Sequence, residues 1–406
     1  MEKTKKISNN QLCAIIVGLF IAMRPIIRVS MQAKILGRDS YFTALFSMLI
    51  NAGFAILLVY LAYKNPGKSF YEIVKDCLGT VTAKIILLLL AVFFFFKVIT
   101  INFEMRSFLY ETLYSDINWG LFTIPIYITF AFLAYKGVRV IGRSYQFFLP
   151  FALVAIALTF ALSIPSCNFQ NLLPILDTSF NKFLESVYVF TTHSGDFLFI
   201  TLIMEYILNN DKKTISKVSV ASLISVIVVV VFYIIYLSVF GSLSQYVKEG
   251  LVKITQFSPM SDYFFKPDAL ITLMWIPIIV LEQALAIYGI AMCFNKVFNL
   301  KMLYGIILSV SSVYIIELIP QITPTELINF YFNKLAVVML IFELFVPIIV
   351  FTISMIKNTN DLNNLEQLNN GYNKIYSINK FKTLGALQNK KTYKQGAKNG
   401  KNSWVY

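Results

Sequence analysis

Residues 12–28 read LCAIIVGLFIAMRPIIR. The apolar run from Leu12 to Met23 is too short to cross a bilayer, since ~20 helical residues are needed for ~30 Å of hydrocarbon. Completing the crossing brings in Arg24, Pro25, Arg28 and Lys34. An arginine at the centre of a membrane helix costs ~2.5–3.5 kcal/mol on the insertion scale, and proline removes a backbone donor and clashes with the preceding turn. Two readings fit. The helix is broken in mid-membrane with its polar face toward protein or water, or the span is short and tilted and its arginines snorkel to the outer surface.

Similar apolar runs fill most of the chain. Of its 406 residues, 57% are hydrophobic and 14% charged, against about 25% charged in soluble proteins. Spans are expected at 11–35, 41–63, 81–103, 117–135, 146–164, 186–208, 217–240, 269–292, 301–319 and 332–356, with a short N-terminus at 1–10 and a polar, basic tail at 357–406. The connections leave no room for a large soluble domain. Met1 to Lys6 before the apolar run imitates a signal peptide, but no small-residue cleavage site follows, so the run is kept as the first span.

The net charge of +14 has no folded basic domain to present it to nucleic acid. Lysines and arginines instead gather in alternate connections, at Lys64, Lys68, Lys75 and Lys84, at Lys136, Arg139 and Arg143, and at Lys212, Lys213 and Lys217. That bias places both termini on the cytoplasmic side. The tail carries nine lysines against Asp361 and Glu366 and is read as solvated or lying on anionic lipid. Residues 69–79 read as an amphipathic interfacial helix. Residues 241–268 read as the longest outer loop, with Tyr263, Phe264 and Phe265 as interface anchors.

The sixth expected span repeats the anomaly of the first. Between apolar 187–190 and 197–203 lies Thr191-Thr192-His193-Ser194-Gly195-Asp196. Ionisable groups inside a span are functional candidates, and Gly195 permits backbone that a regular helix forbids. Broken elements at positions one and six of ten, the first of each half, point to an inverted-repeat transporter fold with a midplane site. Asn102 and Glu104 in the third span, Lys97 beside them, and Glu282 and Gln283 in the eighth are the other polar groups inside spans. Glu205, Glu317 and Glu343 lie nearer span ends or neighbouring helices. Each alone pairs with a neighbour, Glu104 with Arg106 or Arg24 for instance, whereas the set from spans one, three, six and eight lines a central cavity in folds of this type.

Enzymatic and metal chemistry find no footing. Asn65-Pro66-Gly67-Lys68-Ser69 imitates the end of a phosphate loop, but Ala62 stands where the first glycine belongs and no strand precedes it. His193 is the single histidine, and Cys13, Cys77, Cys167 and Cys293 are widely spaced, so no metal or cofactor is implied.

In this setting the chain resembles the spore germination B-subunit family of germinant receptors. The likeness is carried by Pro66-Gly67-Lys68-Ser69-Phe70-Tyr71-Glu72-Ile73 closing at Leu78-Gly79, by Phe103-Glu104-Met105-Arg106, and by Asn171-Leu172-Leu173-Pro174-Ile175-Leu176. Gly195-Asp196, Trp275 and Tyr288-Gly289 add to it, and it runs from about residue 7 to 356. The first span departs in having Arg24 and Arg28 in place of a glycine-rich break, and Asp196 stands where a glutamate is usual. The resemblance implies the amino acid–polyamine–organocation superfamily and an all-α membrane fold of the leucine-transporter type. That fold is a 5+5 inverted repeat with helices 1 and 6 broken. The resemblance also implies a non-enzymatic subunit of the spore inner membrane, or of a bacterial cell membrane, working with A- and C-type subunits to sense a small germinant such as an amino acid. On this view unwound backbone at Ala22 and Met23 and at Thr192, His193, Ser194 and Gly195 holds the ligand's amino and carboxylate groups. Arg24 or Arg28 pairs with an anionic group and Asp196 with a cation. The competing expectation is an amino-acid transporter coupled to protons or cations through Glu104, His193 or Asp196.

Overall fold

The structure is a computed structural model that describes residues 6–22, 28–112, 119–208, 211–247, 250–257, 267–319 and 337–357. The side chains at 107–108, 110–112, 119, 192–194 and 267–271 are not described. The expected ligand positions Met23 and Arg24, the aromatics at 263–265 and the tail beyond Lys357 therefore lie outside the described residues. The chain divides into two compact units at Thr352. The first unit holds the helical bundle; in the second, 352–357 continue as helix.

Among the described residues every regular element is helical. Helix α1 spans Asn9–Ile21 and α2 Val29–Leu36. Helix α3 spans Ser40–Lys64, α4 Phe70–Leu78, α5 Thr80–Thr112, α6 Trp119–Lys136 and α7 Val138–Ser163. Helix α8 spans Phe180–Ser194, α9 Phe199–Ile203, α10 Lys212–Phe240, α11 Gly250–Gln256, α12 Pro267–Phe298 and α13 Met302–Leu318; α14 is Val337–Lys357. Among the described residues, seven helical segments are long and apolar enough to cross a membrane. Outward-facing Leu121, Ile128, Phe147 and Ile227 are more than 60% exposed, as side chains facing lipid would be.

The stretch expected as one span at 11–35 is two helices. Helix α1 starts at a capping box in which Ser8 and Gln11 satisfy each other's backbone N–H, and its 13 residues reach only roughly 20 Å. Helix α12 packs against α5, α7, α6 and α13, and α10 packs against α3 and α1. These pairs frame α1–α2 and α8–α9. Helix α1 touches the turn Asp196–Leu198 while α2 touches α8, so the two interrupted elements meet where both are interrupted.

Both ends of this arrangement are tied. Ile7 N–H donates to Tyr206 O at 2.8 Å and Leu208 N–H to Ile7 O at 3.0 Å, pairing the backbone ahead of α1 with that after α9. At the far end of α2, buried Asp39 accepts from Leu176 N–H (2.9 Å), Thr178 N–H (3.2 Å) and the Thr178 hydroxyl (2.8 Å). Arg38 also donates to the Leu173 carbonyl. The 171–176 motif thus serves to dock a loop onto the α2–α3 corner. The region expected as a long loop at 241–268 instead contains α11, whose Leu251, Val252, Ile254 and Thr255 are buried. Helix α11 begins against Val29, and Tyr236 Oη holds the preceding turn through the carbonyls of Ser244 (2.6 Å) and Val247 (2.5 Å). Apolar side chains spaced along this segment, too few for a span, are buried by packing.

Candidate functional site

Helix α8 stops because Gly195 turns left-handed, at φ 43° and ψ 9°. A left-handed glycine is a common helix terminator because no Cβ meets the following carbonyl. A Cβ at this position would also lie 2.6 Å from the Phe93 ring and 3.1 Å from Glu343 Cδ. The chain resumes as a 3-10 turn, Asp196–Leu198, and then as α9. The left-handed turn interrupts the regular i→i−4 ladder after α8, and Leu198 N–H turns back to the Gly195 carbonyl at 2.9 Å. Phe197 stacks on Phe54 with centroids 4.9 Å apart, and Phe199 lies 4.9 Å from Phe94. These rings hold the break in place from α3 and α5.

At the other break, α1 ends at Ile21, and the carbonyl of Ala22 accepts a 2.6 Å hydrogen bond from Trp275 Nε1. That leaves one lone pair of the carbonyl for a second donor. Tyr145 of α7 presses on Gly18, where a Cβ would sit 2.5 Å from its ring.

Charges converge between these breaks. Lys97, from the middle of α5, makes a short ion pair with Asp196 Oδ1 and stands 3.7 Å from Glu282 Oε1 of α12. Arg28, at the start of α2, lies 4.0 Å from Glu104 Oε2, so the described ion-pair partner of Glu104 is Arg28, where the sequence reading expects Arg106 or Arg24. These five side chains are at most 5% exposed, and Glu343 of α14 is fully buried. Among the described residues the cluster thus sets two cations against four carboxylates. Removing an ion from water costs several kcal/mol unless it is paired, so the carboxylate excess calls for protons or a bound cation. Gln32 of α2 and Gln283 of α12 keep both amide atoms, and Thr191 and Tyr145 their hydroxyls, without a hydrogen-bond partner among the described residues. Buried polar groups are normally satisfied in more than about 90% of cases. These four, each near a break or the ion cluster, are donors and acceptors that a small polar ligand could use.

Of the residues expected in the site, Ala22, Arg28, Glu104, Gly195, Asp196 and Glu282 are drawn together, and Gln283 follows Glu282 on α12. Thr192, His193 and Ser194 have backbone at the end of α8. Asn102 turns elsewhere: its Nδ2 donates to Tyr127 Oη at 2.6 Å, which donates to Glu317 Oε2 at 2.6 Å, joining α5 to α6 and α13. Sequence reasoning leaves Lys97, Gln32 and Glu343 outside its ligand set. Lys97 is visible as a charge ending the run Phe93-Phe94-Phe95-Phe96, and Glu343 as one inside an apolar helix; nothing local says that they converge.

The sequence model of the spore permease family, described as spore germination protein, matches residues 6–326. No curated protein gives a significant match. Among solved structures, MhsT in complex with L-phenylalanine superposes with a TM-score of 0.56 at 13% identity, covering 86% of this chain and 98% of that one. Mhp1, a nucleobase-cation-symport-1 family transporter in a closed conformation with bromovinylhydantoin bound, gives 0.56 at 12% identity, over 90% of this chain and 94% of its own. Mhp1 facing inward gives 0.52 at 12% identity, over 84% and 74%. At these identities the likeness concerns the fold: all-α, leucine-transporter type, interrupted in the leading element of each half.

Proposed function

This chain belongs to the spore germination protein family, and on that footing we propose that it is a membrane-embedded germinant receptor subunit that senses a small nutrient such as an amino acid. The nutrient lies between α1–α2 and α8–α9, and its arrival rearranges the interrupted helices to signal through A- and C-type partner subunits. Both termini face the cytoplasm, as the lysine and arginine bias implies. The observation that carries this reading is the buried cluster at the two breaks, with Lys97 held between Asp196 and Glu282 and amides at Gln32 and Gln283 that lack a hydrogen-bond partner among the described residues. A zwitterion fits such a place: its carboxylate toward Arg28, the start of α2 or Lys97, and its ammonium toward the carboxylates and the carbonyls that end α8. The solved neighbour holding L-phenylalanine adds weight to an amino acid.

The second reading is an amino-acid transporter coupled to protons or cations, favoured by the carboxylate excess and by the transporter neighbours. Equilibrium binding and flux into liposomes separate the two. A receptor binds a candidate amino acid saturably without moving it, and a transporter accumulates it. Asp196→Ala abolishes the response in either case while the protein remains in the membrane. An unchanged response from that variant would remove Asp196 from the site, and absence of any saturable binding would end both readings.

A further inference from the structure

Glu343 is one of the four carboxylates of the cluster, but no ion pair is assigned to it above. It is fully buried in α14, and neither oxygen has a hydrogen-bond partner among the described residues. What it meets is the break itself: its Cδ would lie 3.1 Å from a Cβ at Gly195, a position that the Phe93 ring crowds from the other side. Lys97 sits one turn beyond Phe93 on α5, and Asp196 is the next residue after Gly195. The charged groups that act on Glu343 are Lys97 from α5 and Asp196 from the break. Helix α3, which neighbours α14 through the Tyr60–Phe351 ring contact, brings tyrosines but no charge between Ser40 and Tyr63. An ionised carboxylate with apolar ring and glycine for company lacks the pairing and hydrogen bonds that make burial of a charge tolerable.

We propose that Glu343 is a proton-binding site, distinct from the ligand-binding residues, that governs the α8–α9 break. The neutral carboxyl packs beside Gly195, where the Phe93 ring also lies, and needs no ion-pair partner there. When the proton leaves to solvent, the new carboxylate requires a cation, and the nearest described one is the Lys97 ammonium. Drawing Lys97 toward Glu343 weakens its bond to Asp196, so that Asp196 can accept the ammonium of a ligand. Proton release and ligand uptake are thereby linked through one lysine. This holds whether the central site senses or transports.

The test uses the full-length protein in lipid nanodiscs with the proton itself as probe, following the C=O stretch of neutral carboxylic acids by infrared spectroscopy. The expected result is a neutral-carboxyl band that is lost as the pH is raised. It is missing from Glu343→Gln and retained in Glu104→Gln. Glu343→Leu, a second neutral replacement, gives the same reading if the amide variant does not fold. A Glu343→Gln spectrum superimposable on the wild type overturns the proposal. So does a band controlled by sodium or potassium at constant pH, which would assign Glu343 to a metal cation instead.

Discussion

Trp275 and Ala22 are 253 residues apart, yet the indole N–H of one donates to the carbonyl of the other at 2.6 Å. The bond satisfies an acceptor that α1 abandons when it stops at Ile21. A broken helix in a membrane is tolerated only where protein or water takes over its freed backbone groups, and here α12 supplies the replacement donor.

Trp275→Phe keeps the buried ring and removes only the donor. It is expected to cost about 1–3 kcal/mol, the penalty for leaving a buried acceptor unmade. Thermal unfolding in detergent measures this, and an unchanged midpoint would mean that Ala22 finds another partner.

Lys97 serves two carboxylates, so its loss should hurt more than the loss of a pair. Lys97→Met leaves Asp196 and Glu282 buried without their cation, at about 3–5 kcal/mol. Adding Asp196→Asn removes one of those charges, and the double variant should recover part of the stability, with a coupling of about 1–3 kcal/mol. Strictly additive effects in the double-mutant cycle would deny the interaction.

Gly195→Ala introduces a Cβ 2.6 Å from the Phe93 ring and asks a non-glycine residue to hold φ 43°. The left-handed conformation costs ~1–2 kcal/mol and the overlap ~1–3 kcal/mol. Phe93→Ala in the same chain should return the overlap portion and leave the conformational portion. If the second substitution returns nothing, crowding at the ring is not the obstacle.

The amphipathic helix α4 offers a pH test away from the membrane core. Glu72 accepts from Ser69 N–H at 2.8 Å and from the Ser69 hydroxyl at 2.9 Å, and the backbone N–H chiefly holds its carboxyl below the ordinary glutamate value. A depressed native value means that the stabilisation is present above the unfolded value of about 4.3 and is lost as pH falls through the native one. Because Glu72 is solvent-exposed, the effect is a few tenths of a kcal/mol. Amide exchange across 70–78 should quicken between about pH 6 and about pH 3 once intrinsic rates are divided out, and Glu72→Gln should flatten that change. Equal pH profiles in both proteins would show that the carboxylate plays no part.

Legibility in the sequence differs by kind of signal. The end of α1 at Ile21 and the Gly195 turn leave local signs because they go with broken local rules: too short an apolar run, charges where charges are expensive, and a glycine beside an acid. The same is true of the α4 capping box, whose Ser69 and Glu72 are three apart. The helix within 241–268 escapes a sequence reading because it packs against Val29, far away in the chain, as well as against neighbouring Tyr236. Asn102 reads as central because it lies two residues from Glu104. A step of two on a helix turns the side chain by about 200°, and that rotation points it to Tyr127.

Hydropathy is summed along the chain, so the sequence alone pointed to a membrane protein of many helices and marked two of them as anomalous, while leaving open whether the first is broken or only short and tilted. Pairing is decided across the bundle. Lys97 with Asp196, Trp275 with Ala22 and Glu343 with Gly195 depend on helix rotation and on which helices pack together. Those follow from side-chain packing between distant segments, which leaves no periodic trace in the residues of either partner.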